Sequence, residues 1–99
     1  MARYDLYRNA DGDSYFLDIQ SDLLGHLNTR VVVPLLPPNL APTPGRRLNP
    51  SFVITGKNYV MVTQFMSALS ASELPEAQGD LYHHHDDIVA ALDMLFQGF

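Results

Sequence analysis

The chain has 99 residues and no cysteine, so it has room for one domain and can form neither a disulfide framework nor a thiolate metal site. Its hydrophobic content of 46% is typical of a globular protein, and no apolar run is long enough to span a bilayer. Eleven acidic residues against six basic ones give a net charge of -5, which disfavours direct binding to nucleic acid and favours a protein partner.

The first half of the chain predicts β-structure. Residues 4–7 and 15–19 are rich in β-formers and flank an Asp-Gly turn, which predicts a hairpin. The β-branched run 30–35 predicts a strand that is buried on both faces. Six of the seven prolines lie between Pro34 and Pro50 and predict a rigid surface loop, with a proline-rich ligand for another domain as the alternative.

The second half predicts one more hairpin and a final helix. Residues 52–55 and 58–63 flank a Gly-Lys turn and predict the hairpin, whereas residues 64–79 are ambiguous between helix and extended chain. A helix is predicted to begin between Asp80 and His83. About five strands followed by one helix indicate an α+β domain.

The final helix carries two stripes of residues. The apolar stripe is predicted to face the core, and its members are Ile88, Ala91, Leu92, Leu95 and Phe99. The second stripe is small and polar and is predicted to face solvent or a partner, and its members are Asp86, Ala90, Asp93 and Gln97. Because the apolar helix end needs cover, we predict a homodimer. The residues expected in the core or at its two-fold interface are Leu92, Met94, Leu95 and Phe96.

The three consecutive histidines at 83–85 do not predict a metal site. Consecutive helical residues point about 100° apart, so the three rings cannot converge on one ion. Only His83 and Asp87 could share a metal, and the sequence offers no third ligand. We expect solvated residues at a helix start, with no metal and no cofactor.

Catalytic motifs are equally scarce. Ser21, Asp22 and His26 lie close in sequence, but nothing resembles a nucleophile elbow, and Asp18 and Asp22 are expected to be turn or cap residues. The glycines are isolated, so neither a phosphate loop nor a dinucleotide fingerprint is present. We therefore expect that the protein is not an enzyme.

Three segments, taken together, resemble the CcdB family of toxin–antitoxin proteins, which poison DNA gyrase. They are residues 15–24, residues 30–35, and the terminus with Asp87-Ile88 followed by residues 95–99. The Leu-Asn-Pro sequence at 48–50 also resembles the family's Leu-aromatic-Pro element. Their order and spacing carry the resemblance over nearly the whole chain. It implies an SH3-like β-barrel with a small additional sheet and a C-terminal α-helix, assembled as a two-fold homodimer.

The resemblance also implies partners and a binding face. It implies a protein that binds the DNA gyrase A subunit and is neutralised by a CcdA-like antitoxin. The composition adds the expectation of a cytoplasmic protein without contact with membrane or nucleic acid, because the chain has no cysteine, no bilayer-spanning run and few basic residues. In the family the last three residues are essential for poisoning, and two apolar residues after the Gln-Ser-Asp segment join them. The gyrase-binding residues implied here are Leu23, Leu24, Ala90, Asp93, Gln97, Gly98 and Phe99.

Three of these positions depart from the family pattern. Gln97 replaces a tryptophan that stacks on a gyrase arginine, Asp93 replaces an asparagine, and Phe99 replaces an isoleucine. One alternative is therefore a degenerate homologue that dimerises and binds antitoxin without poisoning gyrase. Another is an mRNA endoribonuclease of the same fold, against which the acidic balance argues.

Overall fold

A computed structural model describes all 99 residues, which form one six-stranded antiparallel sheet and one α-helix. The strands are β1 (Leu6–Arg8), β2 (Tyr15–Asp18), β3 (Thr29–Leu36), β4 (Ser51–Ile54), β5 (Lys57–Met61) and β6 (Ser67–Ser70), and helix α1 is His85–Gln97. Four short helical turns lie at Asp22–Leu24, Thr63–Phe65, Ala71–Glu73 and Tyr82–His84. None of the helices has both the length and the apolar character that crossing a membrane requires.

The sheet curls around β3, its longest strand. The first half of β3 pairs with β6, the second half pairs with β2, and its last two residues pair with β5. Because the partners change along one strand, the sheet bends into a half-barrel with β4 and β1 at its two ends. This architecture confirms the expected α+β fold with a C-terminal helix.

The inner side of the curled sheet holds the hydrophobic core, a cluster of 14 buried residues. Helix α1 contributes Ile88 and Ala91, which are both 0% exposed. Burying a large aliphatic side chain such as Ile88 contributes about 1.5–3 kcal/mol. The first half of α1 therefore fixes the helix against the sheet.

Both predicted hairpins form, and β3 is buried as expected. Val32 and Val33 point to opposite faces of the sheet and are both 0% exposed. The ambiguous segment 64–79 forms β6, the whole of the short helical turn at Ala71–Glu73 and the last two residues of the turn at Thr63–Phe65. The proline-rich stretch forms an irregular loop that is fixed by Asn49, whose Nδ2 donates to the Met61 carbonyl at 3.0 Å.

The final helix differs from its prediction at both ends. It begins later, at His85, because Asp80 bridges to Asp5 and the Leu81 N–H donates to the Tyr4 carbonyl, which keeps residues 80–81 on the sheet. At the other end, Phe99, the last residue of the predicted core-facing stripe, does not reach the core. Phe99 is 67% exposed because Gly98, at φ 79°, has already left the helical path.

Candidate partner-binding site

The turn at Asp22–Leu24, called the leucine turn below, presents apolar side chains to solvent. Leu23 is 88% exposed and Leu24 is 44% exposed. The turn is ordered by capping, because the Ser21 Oγ accepts a hydrogen bond from the Leu23 N–H at 3.2 Å. A second tie comes from the N-terminal segment, where the Arg3 N–H donates to the Asp22 carboxylate at 2.9 Å. The Asp22 carboxylate thus accepts a hydrogen bond from the backbone of a distant segment.

The other predicted site residues form the helix-end group, which consists of Ala90, Asp93, Gln97, Gly98 and Phe99. Ala90 and Asp93 are half-buried, and the last three residues are exposed. The Gln97 Nε2 lies 3.4 Å from an Asp93 carboxylate oxygen, so these two side chains share one face of the helix. The predicted polar stripe is therefore present at the end of α1.

No hydrogen bond joins the leucine turn to the helix-end group within one chain. The predicted residues lie on two separate elements, the leucine turn and the end of α1. A partner that contacts all of them has to cover both groups, or a second copy of the chain has to complete the face.

The residues predicted for the core or a dimer interface differ in burial. Leu92 packs against the core, Met94 and Leu95 are half-buried, and Phe96 is 69% exposed. A large aromatic side chain at that exposure loses little contact with water on folding, so Phe96 does not belong to the core. Its place at a dimer interface stays a prediction.

A buried ion pair next to the leucine turn was missed from the sequence. The Arg30 Nε and Nη2 donate to the two oxygens of Asp18 at 2.8 and 2.9 Å, and both side chains are at most 1% exposed. Asp18 does act as the predicted turn residue, since its Oδ1 accepts from the Gln20 N–H two residues along the chain, but its pairing with Arg30 was not predicted. The hydrogen bond that Arg30 donates to Asp18 raises the pKa of the Arg30 guanidinium above its usual value, although burial opposes this. The one sequence feature that pointed to a buried partner for Asp18 is its position in β2, where the other three residues are aromatic or aliphatic.

Tyr7 completes this cluster, with its hydroxyl 3.4 Å from the Asp18 carboxylate. Burial, followed by the negative charge of Asp18, raises the pKa of the Tyr7 phenol well above its usual value. A group whose pKa is raised by folding stabilises the folded state fully below its unfolded pKa, about 10, and loses that contribution as the pH rises toward the folded value.

We accordingly expect Tyr7→Phe to weaken the fall in stability above about pH 10. At pH 7 the same variant should lose no more than about 1 kcal/mol, because the hydrogen bond is long. Urea denaturation at several pH values measures both effects. An equally steep alkaline decline in the variant and the parent would contradict this assignment.

The histidines at the helix start have structural neighbours. The Tyr4 hydroxyl and the His85 Nδ1 share a hydrogen bond of 2.5 Å, and the His84 ring packs on Phe52 at a centroid distance of 4.8 Å. Burial raises the pKa of the Tyr4 phenol above its usual value. No three His, Asp or Glu side chains are grouped closely enough to hold a metal ion.

One mostly apolar cleft lies apart from both groups of site residues. Its volume is about 420 Å³, and it lies between the first hairpin and the region after β6. Its walls are mostly apolar, with one basic and one acidic side chain, and include Arg8, Phe16, Leu69, Glu73 and Leu74. None of the residues predicted from the sequence lines this cleft.

A curled half-barrel sheet packed against one C-terminal helix makes this chain a small α+β domain. The comparison with family models is more specific, since the model described as "CcdB protein" matches residues 3–98. The chain belongs to the CcdB family, as its three sequence segments indicated.

Two solved structures share the fold. One is an endoribonuclease in complex with its cognate antitoxin, from Mycobacterial species, with a TM-score of 0.75 and 18% identity, covering 95% of this chain and 92% of that chain. The other is an endoribonuclease from Mycobacterial species, with a TM-score of 0.72 and 17% identity, covering 95% of this chain and 88% of that chain.

These structures correct the expectation that the protein is not an enzyme. Both are endoribonucleases, so the fold of this chain is one on which RNA cleavage is carried out. The expectation rested on overall charge and on missing local motifs. Neither the net charge nor a local motif shows how side chains from distant segments come together, and that arrangement defines a catalytic site.

Proposed function

We propose that this chain is the toxin of a toxin–antitoxin module and acts in the cytoplasm by binding the DNA gyrase A subunit. The observation that carries the proposal is the exposure of five of the seven positions that match the family's contact face. Leu23 and Phe99 are 88% and 67% exposed, although both are large and apolar. Exposed apolar residues on ordered backbone are typical of protein interfaces.

The two groups of the face can be joined by dimerisation. A two-fold homodimer through the end of α1 would cover Phe96 and bring two copies of the helix-end group together. Each copy would then contribute its own leucine turn to one larger surface. A cognate CcdA-like antitoxin is the proposed neutralising partner, and family membership supports that role.

Binding to purified gyrase A subunit tests the proposal directly. We expect Leu23→Asp and Phe99→Asp each to weaken binding at least about tenfold, because each removes apolar area and introduces a charge. Val53→Asp is the matched control, since Val53 is 65% exposed but lies on β4, outside the face. A different outcome is that the protein dimerises and binds its antitoxin but fails to bind gyrase. That result would support the alternative, a degenerate homologue that does not poison gyrase, in place of the proposed function.

Gln97 supplies a gain-of-function prediction. An aromatic side chain at this exposed position can stack on a partner guanidinium, which contributes about 0.5–2 kcal/mol. Gln97→Trp should therefore tighten gyrase binding by about twofold to thirtyfold, measured by calorimetry. The control is Gln97→Leu, which adds apolar area without a π face. An equal gain in affinity from both variants would show that the added apolar area, and not stacking on a guanidinium, accounts for the tighter binding.

RNA cleavage is a second candidate function, favoured by the two endoribonucleases that share the fold. The exposed groups that could bind or protonate RNA include His26, Arg46 and Arg47. Incubation with a defined RNA, followed by the same assay on the alanine variant of each residue, tests this candidate. Cleavage that one substitution abolishes, combined with no gyrase binding, would establish the endoribonuclease function in place of the first.

A further inference from the structure

The leucine turn has no buried residue, although it carries the most exposed leucine of the chain. Burial of apolar side chains therefore does not hold this segment in place, and its position depends on hydrogen bonds. Several of these bonds are local. The Leu24 N–H donates to the Ser21 carbonyl, and the Gly25 N–H donates to the Asp22 carbonyl. Such bonds shape the turn but do not attach it to the sheet.

Gln20 makes that attachment. Its side-chain Nε2 donates to the Leu24 carbonyl at 2.9 Å, and its Oε1 accepts from the Val31 N–H at 3.0 Å. Gln20 is only 6% exposed, so water competes weakly for these bonds. One buried amide thus links the turn to β3, the central strand of the sheet.

Gln20 is itself fixed by the buried ion pair. Its backbone N–H donates to the Asp18 Oδ1 at 3.0 Å, and the same oxygen accepts from the Arg30 guanidinium. A continuous series of hydrogen bonds therefore runs from the sheet interior to the exposed leucines. The other long-range tie, from the Arg3 N–H to Asp22, is exposed to water and is expected to be weaker.

We propose that Gln20 is a positioning residue for the partner-binding face. It holds Leu23 and Leu24 in the arrangement that a partner contacts, without touching the partner itself. This inference rests on the proposed function of the leucine turn. An ordered turn binds more tightly because the partner does not have to supply the free energy of ordering it.

Gln20→Glu isolates the bond to the turn. The variant keeps the shape of the side chain and an acceptor for the Val31 N–H, but it places a carboxylate oxygen against the Leu24 carbonyl. At pH 7.5 we expect amide hydrogen exchange in residues 22–27 to rise about tenfold relative to the parent protein. Affinity for the gyrase A subunit should fall by about the same factor.

The variant should also recover as the pH falls. A buried carboxyl group protonates above its usual pKa, and its O–H can then donate to the Leu24 carbonyl again. The charged groups near this position are Asp18, Asp22 and Arg30, the neutral but titratable Tyr7 phenol lies beside Asp18, and all four are also present in the parent protein. Comparing variant and parent at each pH therefore removes their contribution. A residue with only a general structural role would show no such recovery.

Two further variants separate positioning from stability. Asn49→Asp makes the same amide-to-carboxylate change at another buried site. The native Asn49 is 7% exposed and holds the proline-rich loop in place. It should lower the melting temperature without changing gyrase binding. Gln20→Met removes both side-chain hydrogen bonds at similar volume and should loosen the turn at every pH.

Three results would overturn the inference. They are unchanged exchange at residues 22–27 in both Gln20 variants, no recovery of Gln20→Glu at low pH, and an equal loss of binding in Asn49→Asp. If the parent protein does not bind gyrase, the proposed function fails. The exchange measurements still decide whether Gln20 orders the turn.

Discussion

Replacing Arg30 with methionine is expected to lower the free energy of unfolding by about 3–5 kcal/mol, a large part of the stability of a domain of this size. The substitution leaves the Asp18 carboxylate buried, with its two bonds from Arg30 removed. The Tyr7 hydroxyl at 3.4 Å and the Gln20 N–H at 3.0 Å remain, but neither carries a positive charge. An uncompensated buried charge is the dominant cost.

The double variant Asp18→Asn with Arg30→Met is the control for this expectation. It removes both charges and should recover most of the lost stability, because a buried pair itself contributes little net free energy. Urea denaturation of the three proteins at pH 7 measures these differences. A single variant as stable as the double variant would show that the Asp18 charge is compensated elsewhere.

Phe96→Asp is expected to convert the proposed dimer into monomers at micromolar concentration. Phe96 is 69% exposed on the last turn of α1, where an aromatic residue is a suitable interface anchor. Removing an anchor of this kind typically costs about 2–4 kcal/mol, which weakens dimerisation by roughly thirtyfold to a thousandfold. The folded monomer should survive, because Ile88 and Ala91 still fix the helix to the core.

Light scattering and analytical ultracentrifugation measure this change. Val53→Asp serves as control, since Val53 is 65% exposed and lies on β4 rather than on the helix. A parent protein that is already monomeric, or a Phe96→Asp dimer of unchanged affinity, would contradict the proposed interface.

The sequence predicted most of the sheet because its signals are local. Alternating or β-branched residues and Gly-containing turns determine the two hairpins and β3 within a few positions. The start of the helix could not be read in this way. It depends on hydrogen bonds between residues 80–81 and the N-terminal segment, which are far apart in the chain.

The ion pair between Asp18 and Arg30 also lay beyond the sequence. The two residues meet because Asp18 pairs with Val32, which puts Arg30 diagonally opposite on the same face of the sheet. A shift of one residue in this register would separate them. Composition does not contain the register, so the partner of Asp18 and the link through Gln20 could not be predicted, although an acidic residue among the apolar residues of β2 marked the position.

The candidate site was predicted in part. Helical spacing placed Ala90, Asp93 and Gln97 on one stripe, and the contact between Asp93 and Gln97 agrees with it. Membership of Leu23 and Leu24 came from the family resemblance, since nothing in their local pattern distinguishes a leucine in the core from one in solvent. Only the fold shows that both leucines lie on a turn without buried residues.

The leucine turn has a consequence for the evolution of the family. Because no side chain of the turn is buried, residues 22–24 can be substituted with little effect on folding. Selection for a different target can therefore change these residues without first acquiring compensating core mutations. The buried cluster beneath the turn is under the opposite constraint, since a change in Asp18 or Arg30 alone is severely destabilising. We therefore expect relatives with new targets to conserve the pair of Asp18 and Arg30 while the residues of the leucine turn vary.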